Sequence, residues 1–205
     1  MIKQTFMEVL PNVWPMLIII TVIISSIRIT YLITKHKKFL LHKEIIYLIA
    51  IIYILCLFHV VTFQDINYGK SNFIPFKEIF RYDFGTYKFF RNVLGNIALF
   101  IPFGFLSSYI LKNRKLSVVT ILTLIASGTI ETVQYYIGRV FDIDDIILNL
   151  LGGIIGFLIF IGLDAIRNKI KILKNDTVLD ILIIIILVLV MIYSFNINVF
   201  SLIGG

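Results

Sequence analysis

The chain has 205 residues, of which 59% are hydrophobic, and it carries a formal net charge of +7. Soluble globular domains are about half apolar, so this composition excludes an ordinary soluble domain and predicts a protein embedded in lipid. The positive charge does not indicate a nucleic acid partner, because the basic residues fall in short blocks between apolar runs, as membrane orientation signals do. The single cysteine, Cys56, excludes an internal disulfide.

Six apolar runs are long enough to cross a hydrocarbon core, which takes roughly 17–25 helical residues. They are continuous rather than alternating, which favours helices over the strands of a barrel. The predicted fold class is therefore all-α, a polytopic transmembrane helix bundle. Its spans are expected at 13–34, 45–63, 92–111, 116–137, 145–163 and 178–195.

The connections between these spans predict the orientation. Lysine and arginine are more numerous in the connections after the first, third and fifth spans than on the opposite side. Basic connections stay in the cytoplasm. Both termini, the connection at 64–91 and the turn at 139–145 are therefore expected outside.

The connection at 64–91 is not a plain linker. It contains the apolar stretch NFIPF at 72–76, and further phenylalanines then alternate with lysine and arginine. This composition favours the headgroup layer, where rings and cations both find partners. We expect a re-entrant or interfacial segment that covers the outer mouth of the bundle. The alternative is a loop whose rings only pack on the bundle.

Ionisable and amide side chains concentrate at the ends of the third, fourth and fifth spans. Asn92 and Asn96 share one helical face, as do Glu131 and Gln134, by three-and-four spacing. Further on in the third span, Pro102 removes a backbone donor and is expected to kink the helix.

The turn after the fourth span carries a second polar group. Gly138 suits the end of a helix. Asp142 or Asp144 suits an N-cap, and Asp145 suits the first turn of the fifth span, where a carboxylate complements the helix dipole. Taken singly, Arg139 and Asp144 are expected to be solvated turn residues. Downstream, the spacing of Gly152 and Gly156 predicts a small-residue packing face.

A short turn makes the fourth and fifth spans antiparallel neighbours, and the third span begins on the same side. One pocket is therefore predicted beneath the phenylalanine-rich connection at 64–91, which we call the aromatic connection. Its candidate residues are Asn92, Asn96, Glu131, Gln134, Arg139, Asp142, Asp145 and Asn149.

Three motifs, NVLGNIALFIPFGF, ETVQYYIGR and FDIDDIILNLLGGIIG, occur in this order and resemble the VanZ-like family of bacterial membrane proteins. NFIPF fits as well. The resemblance covers about 45–163 and leaves flanking segments at 1–44 and 164–205. It implies a multi-pass protein of the bacterial cell membrane, associated with low-level resistance to teicoplanin, a lipid-tailed glycopeptide. It implies a phenotype rather than a reaction. By matching positions it also implies Pro102, Gly104, Gly138, Gly152 and Gly156, besides the eight candidates.

The first hypothesis for the cluster is binding of an amphiphile at the outer leaflet: a lipid, a lipid-linked wall precursor or the acyl tail of the antibiotic. Arg139 and Arg91 are suited to a phosphate. The carboxylates and amides are suited to sugar or ammonium groups. This hypothesis involves no cofactor, no metal and no nucleic acid.

The second hypothesis is a membrane-embedded enzyme that modifies an envelope lipid. Glu131 with Asp142 or Asp145 would act as an acid/base pair or hold Mg²⁺. The sequence has no Ser-His-Asp order, no histidine cluster and no glycine-rich phosphate loop. The third hypothesis is structural, with the polar groups only joining the spans. A transporter is not indicated, because internal repeats and paired broken helices are missing.

Overall fold

A computed structural model gives the structure of residues 2–63 and 71–194, with side chains described for 14–60 and 71–190. Six long helices make up this part of the chain, which confirms the all-α prediction. They are α1 (Ile2–Thr34), α2 (Leu41–Phe63), α3 (Tyr87–Leu111), α4 (Leu116–Tyr136), α5 (Ile143–Lys169) and α6 (Asp176–Ser194). Residues 64–70 of the aromatic connection and residue 195 of the sixth predicted span lie outside the described residues.

Among the residues whose side chains the structure describes, five helices are long and apolar enough to cross a membrane, at Trp14–Thr34, Leu41–Val60, Tyr87–Leu111, Leu116–Tyr136 and Ile143–Lys169. The sixth predicted span coincides with α6, whose side chains are described only as far as residue 190. The predicted orientation is untested and stays a prediction. Length and composition of the helices therefore indicate a multi-pass membrane protein.

The fifth predicted span ends too early, because its predicted end is the last residue of the apolar run, Leu163, just before the charged Asp164. In the structure α5 continues to Lys169. The Asp164 carboxylate forms an ion pair with Arg114, which belongs to the connection between α3 and α4. Arg167 and Lys169 lie in the last turn, where cations complement the helix dipole.

The centre of the bundle is a close contact between α3 and α5, made through glycines. A Cβ atom added to Gly156 would lie 2.0 Å from the carbonyl oxygen of Ile101, and one on Gly152 would lie 2.2 Å from that of Ile97. Gly104 on α3 faces the backbone of Gly153 in the same way. The predicted small-residue face of α5 is therefore confirmed, and its partner is α3.

The start of α3 departs from regular helix geometry. After one α-helical turn at Tyr87–Phe89, residues Phe90–Leu94 form a π-helical turn, and the α-helix resumes at Gly95–Leu111. Pro102 lies inside this helix, and the Tyr53 hydroxyl of α2 donates to the carbonyl of Leu99 over 2.7 Å. Because a π turn hydrogen-bonds from i to i+5, the three-and-four spacing used to align Asn92 with Asn96 fails here.

Replacing Gly156 by alanine is expected to lower the free energy of unfolding by about 1–3 kcal/mol, the usual cost of overpacking. The reason is that the new methyl group meets the α3 backbone, which cannot move aside as a side chain would. The measurement is thermal or denaturant unfolding of the purified protein in detergent.

Gly162→Ala is the matched control, because a Cβ there, on the same helix, meets nothing within 4 Å. It should be neutral or stabilising by up to about 1 kcal/mol through helix propensity. Equal stabilities of the two variants would contradict the close contact between α3 and α5.

Candidate functional site

The turn between α4 and α5 is held by the buried carboxylate of Glu131. α4 ends at Tyr136, and Gly138 takes a left-handed conformation with φ of 86°, as expected after a helix end. The backbone N–H of Asp142 then donates to Glu131 Oε2 over 2.9 Å. Asp142 is the N-cap of α5, because its Oδ1 accepts from the N–H of Asp144 over 2.9 Å. Glu131 thus connects the last turns of α4 to the start of α5.

Asn72 attaches the aromatic connection to this turn. Its backbone N–H donates to the carbonyl of Phe141 over 2.8 Å, and its carbonyl accepts from the N–H of Ile143 over 3.0 Å. Its side-chain amide donates to Asp142 Oδ1 over 2.9 Å. The backbone around Asn72 therefore runs parallel to that around Asp142, as in a short two-stranded bridge.

Asp144 attaches the next part of the connection. Its carboxylate is only 1% exposed and accepts from the backbone N–H groups of Phe76, Glu78 and Ile79. The distances from Glu78 and Ile79 to Oδ2 are 2.7 and 3.2 Å. The expectation of a solvated turn residue is therefore wrong for Asp144. The N–H groups that donate to the Asp144 carboxylate belong to residues more than sixty positions away in the chain, and local spacing gives no signal of such contacts.

A further group of polar contacts extends into the bundle below this turn. The Asn96 amide donates to Asp145 Oδ1, which joins α3 to α5. The Asn149 amide donates to the Ser127 hydroxyl over 2.9 Å, which joins α5 to α4. These contacts bring the three predicted spans together by their polar faces.

Gln134 lies between an acid and a base. With its amide oriented to match its neighbours, the nitrogen donates to Glu131 Oε1 over 3.0 Å and the oxygen accepts from Arg139 Nη1 over 2.8 Å. Glu131 and Gln134 are buried, whereas Arg139 is half-buried. Arg139 is therefore a member of the cluster rather than a solvated turn residue.

Six of the eight candidate residues meet in one cluster, which we call the acidic cluster: Asn96, Glu131, Gln134, Arg139, Asp142 and Asp145. Asn149 lies one turn beyond Asp145 on α5 and contacts Ser127 of α4 instead. The eighth candidate is Asn92, which does not join the cluster either. It lies in the π turn, is half-buried, and makes no side-chain hydrogen bond within the described residues. Asn92 lies outside the cluster because the π turn at Phe90–Leu94 changes the helical register before Gly95.

The acidic cluster lies at the end of the bundle opposite the lysine-rich connections. α4 starts at Leu116, directly after a basic connection, and carries Glu131 and Gln134 near its other end. α5 starts beside the cluster and ends at Lys169. This placement agrees with the prediction that the polar faces of the third, fourth and fifth spans meet at the end away from the basic connections.

The aromatic connection turns its rings outward. Phe80 and Phe84 are 83% and 89% exposed, so they do not pack on the bundle. Phe73 stacks on Phe141 with ring centroids 5.2 Å apart. The backbone of the connection covers the turn, and its rings are free to enter the surrounding layer. Exposed phenylalanines beside lysine and arginine suit a membrane interface.

Two residues that organise the ends of the bundle, Asn72 and His42, are not among the candidates predicted from the sequence. Asn72 belongs to the NFIPF stretch, which also fits the family resemblance. That fit was the signal in the sequence that could have pointed to Asn72. His42 is buried at the lysine-rich end, where its Nδ1 lies 2.7 Å from Asp180 Oδ1 and its Nε2 lies 3.6 Å from Asp176 Oδ1. Nothing in the spacing of the three histidines pointed to these contacts between α2 and α6.

Burial raises the pKa of the Asp142 carboxyl, although hydrogen bonds from the Asn72 amide and the Asp144 N–H oppose the rise. The charges of Asp144 and Glu78 raise the pKa further. Asp142 therefore keeps its proton to a higher pH in the folded protein than in the unfolded chain.

Asp144→Asn is expected to lower the free energy of unfolding by about 2 kcal/mol, since hydrogen bonds to charged groups contribute roughly 1.5–3 kcal/mol. An asparagine would also turn an N–H₂ group toward backbone donors. Amide hydrogen exchange at residues 76–79 should become faster. Asp83→Asn, an exposed change in the same connection, is the control. Unchanged exchange at residues 76–79 would show that Asp144 does not hold this segment.

Asp142→Asn should remove a pH dependence of stability. Since the folded pKa is raised, the contribution of Asp142 to wild-type stability is fully present below the ordinary aspartate pKa of about 3.9 and is lost as pH rises through the folded value. Asparagine caps as well as aspartate but does not titrate, so the gap between variant and wild type should widen in the variant's favour from about pH 4 to pH 7.

Asp142→Ala provides the comparison, because it loses the cap and should cost about 1 kcal/mol. The measurement is the free energy of unfolding of all three proteins across this pH range. Parallel curves for wild type and Asp142→Asn would contradict the raised pKa.

A family model described as VanZ/LLP1 matches residues 44–167, which is more than half of the chain. The matched region includes most of α2, all of α3 and α4, and nearly all of α5, together with the whole acidic cluster. No curated protein and no solved structure matches the chain. On this match, the chain belongs to the VanZ/LLP1 family.

Proposed function

We propose that this membrane protein of the VanZ/LLP1 family binds the headgroup of an amphiphile at the outer leaflet and thereby lowers susceptibility to teicoplanin. The ligand is a lipid, a lipid-linked wall precursor or the lipoglycopeptide itself. The observation that carries the proposal is the placement of Glu131 and Asp145 within membrane-spanning helices, close to the half-buried Arg139. Ionisable groups inside spans are costly and mark functional sites.

Unused hydrogen-bonding capacity supports binding over a purely structural role. Asp144 is fully occupied by the aromatic connection, and Glu131 by the turn and Gln134. Asp145 is different, because only Oδ1 is hydrogen-bonded within the described residues. The Oδ1 atom of Asn149 is buried there without a partner. Buried polar groups are nearly always paired, so these two acceptors suit a donor from a ligand.

The charge of the cluster indicates the kind of headgroup. Glu131, Asp142 and Asp145 outnumber the single guanidinium of Arg139, so the cluster favours ligands that present ammonium or hydroxyl donors. Arg139 can hold a phosphate or carboxylate of the same headgroup through charge-assisted hydrogen bonds. A zwitterionic or amino-sugar headgroup satisfies both requirements.

The aromatic connection supplies the apolar half of the proposed site. Phe73, Phe76 and Phe80 are exposed next to the turn that the cluster supports. Lys77 and Arg81 alternate with them and suit lipid phosphates at the interface. An acyl chain lying along these rings would keep its headgroup near the cluster.

The enzyme hypothesis gains no specific observation. Among the described residues, no group of three or more His, Cys, Asp or Glu is arranged to hold a metal ion. The enzyme hypothesis assigns catalysis to three carboxylates. Two of them, those of Glu131 and Asp142, already hold the turn between α4 and α5. Comparing the lipids of cells that carry wild type or Glu131→Gln distinguishes the hypotheses, since a lipid species made only by wild type would favour the enzyme.

Replacing Arg139 by alanine or Asp145 by asparagine should abolish teicoplanin resistance in a susceptible bacterial host without lowering the amount of membrane-inserted protein. Loss of one charged hydrogen-bond partner, roughly 1.5–3 kcal/mol, corresponds to about a 10–100-fold loss of affinity. The measurements are the minimal inhibitory concentration and an immunoblot of the membrane fraction.

Asp164→Asn is the control, because it removes a carboxylate of α5 at the opposite end of the bundle. It should leave resistance intact. Resistance that persists in Arg139→Ala and Asp145→Asn, or that falls only together with the amount of protein, would overturn the proposed binding site.

A further inference from the structure

A concave surface lies away from the acidic cluster, between α1 and α2 near their lysine-rich ends. We call it the α1–α2 groove. It has a volume of about 460 Å³, within the range of about 300–1,000 Å³ typical of ligand sites. Its walls are almost entirely apolar and include Ile24, Ile29, Leu32, Leu48, Ile51 and Ile54.

One ion pair interrupts the apolar walls. Arg28 binds Glu44 through two hydrogen bonds, with Nε to Oε2 at 2.9 Å and Nη2 to Oε1 at 3.0 Å. The guanidinium also lies over the rings of Tyr47 and Tyr31, at 4.9 and 5.6 Å from their centroids. A paired and stacked arginine can remain inside a membrane span at reduced cost.

Two donors in the groove are left unused. The Nη1 group of Arg28 and the hydroxyl of Ser25 make no hydrogen bond to another residue within the described part of the chain, and both residues line the groove. Arg28 lies six residues before the end of α1, roughly 9 Å along the axis at about 1.5 Å per residue. This depth suits the ester oxygens of a phospholipid, below the phosphate layer.

Positive charge surrounds the mouth of the groove. The connection from α1 to α2 carries Lys35, Lys37 and Lys38, all exposed, whereas Lys43 at the start of α2 is paired with Asp176. The nearby acid Glu44 is neutralised by Arg28. Clustered lysines next to a span attract anionic headgroups.

From these observations we propose that the α1–α2 groove holds one acyl chain of an anionic phospholipid from the leaflet on the lysine-rich side. The chain lies against the apolar walls, the ester oxygens accept from Arg28 and Ser25, and the phosphate lies among the lysines. A second copy of the protein is a poorer occupant, since its own lysine-rich connection would bring like charges together.

The test compares bound lipids by native mass spectrometry of the full chain, purified with equal amounts of phosphatidylglycerol and phosphatidylcholine. Wild type should retain phosphatidylglycerol in excess. Ser25→Phe fills the groove and should lose most of it. Ser26→Phe, the same change at the next residue, lies outside the lining and should behave as wild type. If Ser25→Phe does not fold, the shorter Ser25→Leu replaces it.

The charge component is tested by Lys37→Glu with Lys38→Glu. This double variant should bind the two lipids equally, and the total amount of bound lipid should stay the same. Asp145→Asn should leave retention at the groove unchanged, which separates this proposal from the acidic cluster. Equal lipid retention by Ser25→Phe and Ser26→Phe, equal binding of both lipids by wild type, or a change only in oligomeric mass would each overturn the proposal.

Discussion

The Asp144 carboxylate accepts hydrogen bonds from three backbone N–H groups of the aromatic connection, and the polar end of the bundle depends on this contact. The backbone of such a connection cannot leave its donors unpaired next to hydrocarbon. One buried charge satisfies several donors at once and holds the segment over the turn. The rings of Phe80 and Phe84 are consequently directed outward. The same interaction therefore shapes both the cover of the acidic cluster and its lipid-facing surface.

The close contact between α3 and α5 positions everything below that cover. Glycines at 104, 152 and 156 let the two backbones touch, and this contact sets the level at which Asn96 meets Asp145. α4 is then joined through Ser127 and Asn149. Packing of small residues thus decides which polar groups become neighbours. In a bilayer, where apolar side chains gain little by leaving lipid for each other, such packing is a principal source of helix association.

The two ends of the bundle present opposite chemistry. One end gathers carboxylates, amides and a single arginine beneath aromatic residues. The other gathers lysines around an apolar groove and places His42 between Asp176 and Asp180. An amphiphile with donor groups suits the first end, and an anionic phospholipid suits the second. Under the two proposals, this asymmetry would let each end of the bundle bind a different class of amphiphile.

The helices were predictable from the amino-acid sequence, because each contains a continuous apolar run of spanning length. Also predictable were an N-cap at Asp142 or Asp144, the glycine face of α5 and the residues of the acidic cluster, because helical periodicity and turn chemistry act between residues that are close in the chain. The remaining features arise from contacts between distant parts of the chain. The π turn takes Asn92 out of register, and Asn72 and Asp144 act through hydrogen bonds to residues some seventy positions away. Periodicity carries no information about such distant pairs, since they form only when the packed helices bring the connection and the turn together.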